Sequence, residues 1–140
     1  MKIFLVSHGK LADGMKNSIE MISGKHTNLQ SFSMSEGDSP DILGERVKKE
    51  INKYNNEPIL LISDFPGGSI NTTLTKFIND HVFLISGMNI MMVLELILNK
   101  SNSNVQELIN AGIKAAQKSI VVINYIKEDS ETELGDDFFD

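Results

Sequence analysis

Apolar residues follow two rhythms along this chain. Short runs of β-type residues bounded by turn residues alternate with longer stretches whose apolar side chains recur every three or four positions. Residues 2–7 read as a first strand, ending at His8-Gly9. Asp13 is placed to cap a helix in which Met15, Ile19 and Ile22 share a face, closing near Gly24. Residues 28–34 alternate as a weaker strand. Ser39-Pro40 then starts a helix whose inward face is Ile42, Leu43, Val47 and Ile51, ending at Asn55-Asn56.

The run from Pro58 to Ser63 is almost wholly apolar, as expected of a central parallel strand covered on both faces. A turn cluster follows over residues 64–68. Ser69 opens a helix with Leu74, Phe77 and Ile78 inward, and Val82 to Ile85 is a fourth strand. Residues 89–98 and 103–118 read as two further helices, the second with Val105, Leu108, Ile109 and Ile113 on one face. Residues 120–126 read as a fifth strand. The order βαβαβαβααβ predicts an α/β sandwich around a mostly parallel sheet.

Composition narrows the class. The chain has 140 residues, enough for one domain with a core of its own. It has no cysteine, which excludes disulfides and thiolate zinc sites and fits a reducing, cytoplasmic setting. No apolar stretch reaches the roughly 20 residues of a membrane span. The net charge of −6 resides in residues 127–140, where Lys127 faces Glu128, Asp129, Glu131, Glu133, Asp136, Asp137 and Asp140. The body, 1–126, is electrically balanced and lacks a basic stripe, so nucleic acid is not an expected partner. The acidic segment reads as a solvated tail.

Chemistry concentrates at strand-to-helix junctions. His8 ends the first strand, Asp64 ends the third, and Gly67-Gly68-Ser69 leads into the following helix. A histidine at a strand end is compatible with a purely structural role. So is a Gly-Gly-Ser turn, or an aspartate capping one. In a doubly wound sheet of order 2-1-3-4, however, the first and third strands are neighbours at the switch point and their ends border one crevice. A carboxylate there fixes the imidazole tautomer, and glycine-turn amides at a helix start can cradle phosphate oxygens. His26 and His81 lie in polar turns. The histidines form no metal-ligand spacing, and no dinucleotide or Walker A glycine pattern appears.

Four blocks carry a resemblance: Val6-Ser7-His8-Gly9, Glu36-Gly37-Asp38, Asp64-Phe65-Pro66-Gly67-Gly68-Ser69 and Ser86-Gly87-Met88-Asn89-Ile90. In that order they resemble the IIA component of the mannose-type sugar phosphotransferase system (PTS), over residues 1–126. The resemblance implies a three-layer α/β sandwich of order 2-1-3-4, with the fifth strand antiparallel and exchanged in a homodimer. It implies that His8 accepts phosphate from the phosphocarrier HPr and passes it to a IIB protein, with an indirect link to membrane IIC and IID components. Asp64 would orient the ring. Gly67, Gly68 and Ser69 would hold the phosphoryl group. Gly9, Asp38, Phe65 and Asn89 would line the pocket or meet the partners. No cofactor or metal is implied. Met91 and Ile70 stand where the family often has proline, and the sugar is not legible.

Two other classes compete with this phosphotransferase reading. A histidine-dependent phosphatase would need a general acid and a phosphate clamp, and Ser7 stands where histidine phosphatases carry arginine. A regulatory α/β module without turnover would have no need of a His8–Asp64 pair.

Overall fold

The computed structural model describes residues 1–99 and 104–124. The chain divides into two compact units, 1–90 and 91–140. The first contains β1 (Lys2–His8), α1 (Leu11–Ser23), β2 (Leu29–Met34), α2 (Pro40–Ile51), β3 (Ile59–Ser63), α3 (Gly68–Thr75) and β4 (Val82–Ser86). Its four strands form one sheet in the order β2-β1-β3-β4, every pair parallel. This is the predicted doubly wound arrangement.

Alternation along the strands builds two faces. Phe4, Val6, Phe32, Ile59, Leu61 and Val82 point to one side, where Leu43, Val47 and Ile51 of α2 and Ile70 and Leu74 of α3 close over them. Each such side chain contributes about 1.5–3 kcal/mol when fully buried. Ile3, Leu5, Leu60 and Ile62 on the opposite face are fully buried as well. Burial on both faces explains why β1 and β3 read as unbroken apolar runs. α1 packs on β1 and β2.

Three expectations for the helices shift. Asp13 does not cap α1, which starts two residues earlier at Leu11. Its place is taken by Ser7, whose Oγ accepts the Ala12 N–H at 2.7 Å and joins the end of β1 to the first turn of α1. Asp13 instead accepts from the Ser31 hydroxyl of β2 at 2.7 Å. α3 ends at Thr75, so Phe77 reaches the core from the following turn and Ile78 stays 48% exposed. Ile22 and Ile42 are exposed too. Ser39 caps α2 as predicted, accepting from the Ile42 N–H at 3.3 Å.

The second unit holds α4 (Ile90–Leu98), all but its first residue, and α5 (Val105–Ser119). Asn104 caps α5 by accepting from the Gln106 and Glu107 amides. Gly112 gives Leu96 room, since a Cβ there would lie 3.1 Å from two of its carbons. The expected fifth strand over 120–126 is not formed in its described part. Residues 120–122 have no regular structure and 123–124 are helical, while 125–126 lie outside the described residues. A strand exists only where a neighbouring backbone completes its hydrogen bonds, and residues 120–124 join no strand of the sheet. The acidic segment 127–140 also lies outside the described residues.

α2 and α3 approach each other at Gly44. A Cβ there would stand 2.5 Å from Thr73 Cγ2, and turning Thr73 away would break the bond its hydroxyl donates to the Ser69 carbonyl at 2.9 Å. Overpacking costs roughly 1–3 kcal/mol, against the ~1 kcal/mol that alanine gains over glycine in a helix. Gly44→Ala is therefore expected to lower stability to urea, and adding Thr73→Ala to restore it. A single variant as stable as wild type would show that the helices separate freely.

Candidate active site

Because the strands are parallel, their carboxyl ends share one edge. His8, the last residue of β1, is in register with Met34 at the end of β2. Ser63, the last residue of β3, pairs with Val6. The residue after it, Asp64, thus emerges beside the end of β1. The topology turns in opposite directions on either side of this β1–β3 boundary, which makes it the switch point.

Asp64 holds His8 twice. Its Oδ2 accepts the His8 backbone N–H at 2.9 Å and lies 2.8 Å from His8 Nδ1. Its Oδ1 accepts the Phe65 N–H at 3.0 Å. The Asp64 side chain is only 9% exposed. Burial alone pushes its carboxyl up, but the His8 amide, the His8 ring and the Phe65 amide together outweigh burial and hold it below the usual carboxylate value. An ionised carboxylate can only accept. In neutral His8 the ring hydrogen therefore sits on Nδ1, and Nε2 keeps its lone pair. The His8 side chain is 39% exposed, so the ring can be reached from solvent.

The other predicted residues surround this pair to differing degrees. Gly9 carries the chain away at φ 55° while its N–H continues the β1–β2 pairing to the Met34 carbonyl at 2.9 Å. Phe65 stacks on the His8 ring, with centroids 5.3 Å apart. Gly67 and Gly68 follow at φ 81° and 76°, a pair of left-handed conformations that side chains resist. They turn the chain into α3 so that its first amides, from Gly68 to Ile70, have no partner within the helix. Ser69 is exposed in that turn. Asp38 lies in the loop after β2 and uses its carboxylate locally, accepting the Ser35 N–H at 3.2 Å. Asn89 follows β4, just past the Gly87 and Met88 amides that bind the Ser63 carbonyl. His26 bonds Ser23, and His81 lies beside Asp80.

Sequence reasoning missed the support beneath the site. Asn71 Oδ1 accepts from the Ser63 hydroxyl at 2.5 Å and the Ser86 hydroxyl at 2.9 Å, and the two hydroxyls lie 2.7 Å apart. Two hydroxyl hydrogens serve these three contacts, so any one arrangement satisfies two of them. The cluster fastens α3 to the ends of β3 and β4, next to Asp64. The available signal was a serine closing each of two apolar strands, with an asparagine one turn into the helix between them.

A doubly wound domain that presents an oriented, reachable imidazole at its switch point is built for group transfer. Residues 2–113 match the EIIA-man family, described as the PTS system fructose IIA component, and the chain belongs to this family. It is 25% identical over 120 residues to the PTS system sorbose-specific EIIA component of Lacticaseibacillus casei, covering 84% of this chain and 87% of that one. The EIIA structure from Streptococcus agalactiae superposes with a TM-score of 0.79 at 25% identity, over 89% of this chain and 98% of that one. A PTS IIA protein associated with the fucose utilization operon of Streptococcus pneumoniae gives 0.76 at 27% identity, over 89% and 93%. The chain is thus a phosphocarrier of a sugar phosphotransferase system. Among the described residues, no helix is long and apolar enough to cross a membrane.

The lowered Asp64 carboxyl sets a pH dependence. Its stabilising contribution is complete above the ordinary carboxylate value and is lost as pH falls through the lower folded value. As pH falls below about 4, the wild type is expected to lose more stability than Asp64→Asn. Urea unfolding across that range checks it, and parallel curves would remove Asp64 from the acid limb.

Proposed function

We propose that His8 Nε2 is the phosphoryl acceptor, taking phosphate from phospho-HPr and passing it to a IIB protein. The observation that carries this reading is the 2.8 Å contact between His8 Nδ1 and Asp64, which leaves Nε2 as the free nucleophile on a half-exposed ring. In the first transfer the Nε2 lone pair forms a bond to phosphorus while the donor's own phosphorus–nitrogen bond breaks. The donor ring leaves with that electron pair. His8 keeps the hydrogen on Nδ1 and its ring becomes cationic, and the Asp64 carboxylate stabilises the charge. The second transfer is the reverse, with the IIB nucleophile attacking.

Gly67, Gly68 and Ser69 would receive the phosphoryl oxygens. The unpartnered amides of the first turn of α3 and the exposed Ser69 hydroxyl support this role. Gly9, Asp38 and Asn89 would form the rim met by the partners, since all three sit in loops at the carboxyl edge of the sheet. Work between HPr and IIB is cytoplasmic, and the phosphate would end on sugar brought in by IIC and IID membrane components.

Incubation with enzyme I, HPr and phosphoenolpyruvate is expected to give one acid-labile phosphoryl group per chain by intact mass, and none in His8→Ala. Absence of incorporation in the wild type would overturn the reading. Asp64→Ala should slow transfer about 10- to 100-fold, the worth of one charge-assisted hydrogen bond, with the fold retained. Unchanged rates would exclude Asp64 from the mechanism.

A homodimer belongs to the same proposal. Ile120, Val121, Val122 and Ile123 are consecutive apolar residues, 41–79% exposed in the single chain. Pairing of 120–126 with a second copy would cover them and supply the missing strand neighbour. Sedimentation should give twice the 15.6 kDa chain mass, and a monomer after charged substitutions at Val121 and Ile123. A monomeric wild type would rule the exchange out.

A further inference from the structure

Phe65, expected to line the pocket or meet the partners, makes and breaks no bond in the transfer just described, yet its ring lies against the His8 imidazole. The two planes are 19° apart, with centroids separated by 5.3 Å, an offset stack. Burial does not hold Phe65 there, for it remains 50% exposed. Its backbone N–H is fixed on Asp64 Oδ1, the carboxylate that also binds His8. Its ring edge rests against Gly68, where a Cβ would come within 3.4 Å of Cε2. The imidazole is thus held on its edge by Asp64 and across its face by Phe65.

A benzene face carries negative potential and attracts a cation laid over it. Neutral His8 offers that face little charge. Once Nε2 is phosphorylated with Nδ1 still protonated, the imidazole ring is cationic. The stack then strengthens in the phosphorylated state.

We propose that Phe65 is a positioning residue that shifts the phosphotransfer equilibrium toward phospho-His8 through the π face laid on its ring. The inference rests on the phosphocarrier reading. No atom of Phe65 is exchanged: the bond made is Nε2–P, the bond broken is the donor's P–N, and Phe65 acts on the charge the ring acquires.

The test is an equilibrium rather than a rate, because a side chain that only helps docking changes rates and leaves the equilibrium alone. A fixed amount of phospho-HPr is mixed with the wild type, Phe65→Leu, Phe65→Ala or Phe65→Trp. The division of phosphate between HPr and this chain is read by intact mass. Loss of an exposed cation–π contact should lower the phosphorylated share of the equilibrium constant about two- to fivefold in Phe65→Leu and Phe65→Ala alike. Phe65→Trp should match or exceed the wild type. A Phe65→Leu equilibrium equal to wild type would overturn the proposal, since leucine keeps the bulk and lacks the π face. If wild type itself takes no phosphate, the phosphocarrier reading fails and this inference fails with it. Acceptance by wild type with no difference among the variants sinks this inference alone.

Discussion

One carboxylate organises this site. Asp64 Oδ2 grips both the backbone and the ring of His8, and Oδ1 grips the backbone of Phe65. Three donors, two on His8 and one on Phe65, therefore converge on a single side chain that is only 9% exposed. Their combined pull keeps the carboxyl ionised despite burial. That ionised state decides the histidine tautomer, and the tautomer decides which nitrogen keeps its lone pair. The state of the imidazole thus follows from a charge held almost out of solvent beside it.

The rest of the first unit supplies the address at which this contact forms. Parallel pairing of β1 with β3 brings residues 8 and 64 together, and a one-residue slip in that pairing would turn every strand side chain to the wrong face. The core of Phe4, Val6, Leu61 and the helical side chains above them fixes the register. Ser63, Asn71 and Ser86 add a polar clasp at the height where Asp64 leaves the sheet. Hydrophobic burial sets the scaffold's energy, and a few polar contacts at its edge set its precision.

Much of this was legible in the chain itself, for identifiable reasons. A strand buried on both faces has little freedom in composition, so β1 and β3 announced themselves. The αβ alternation left few topologies, and the order 2-1-3-4 put His8 and Asp64 side by side. Helix details were harder to read. Asp13 looks like a cap, but Ser7 in the preceding strand does that work, a contact across a turn that local propensity cannot report. Ile22 and Ile42 carry helical spacing yet stay exposed, because periodicity marks a stripe and not its width. The stack of Phe65 on His8 depends on a backbone anchor and a neighbouring glycine, and neither has a one-residue signature. Residues 120–124 have strand composition, but composition cannot supply a neighbour.

Ser7 carries a last consequence. Its hydroxyl is tied to Ala12 on one side of His8, while Gly9 is tied to Met34 on the other. The peptide around the histidine is therefore stapled to a helix and to a strand, and the imidazole stands on a backbone fastened on both sides. Fastened so, the histidine resembles a fixed terminal rather than a moving arm.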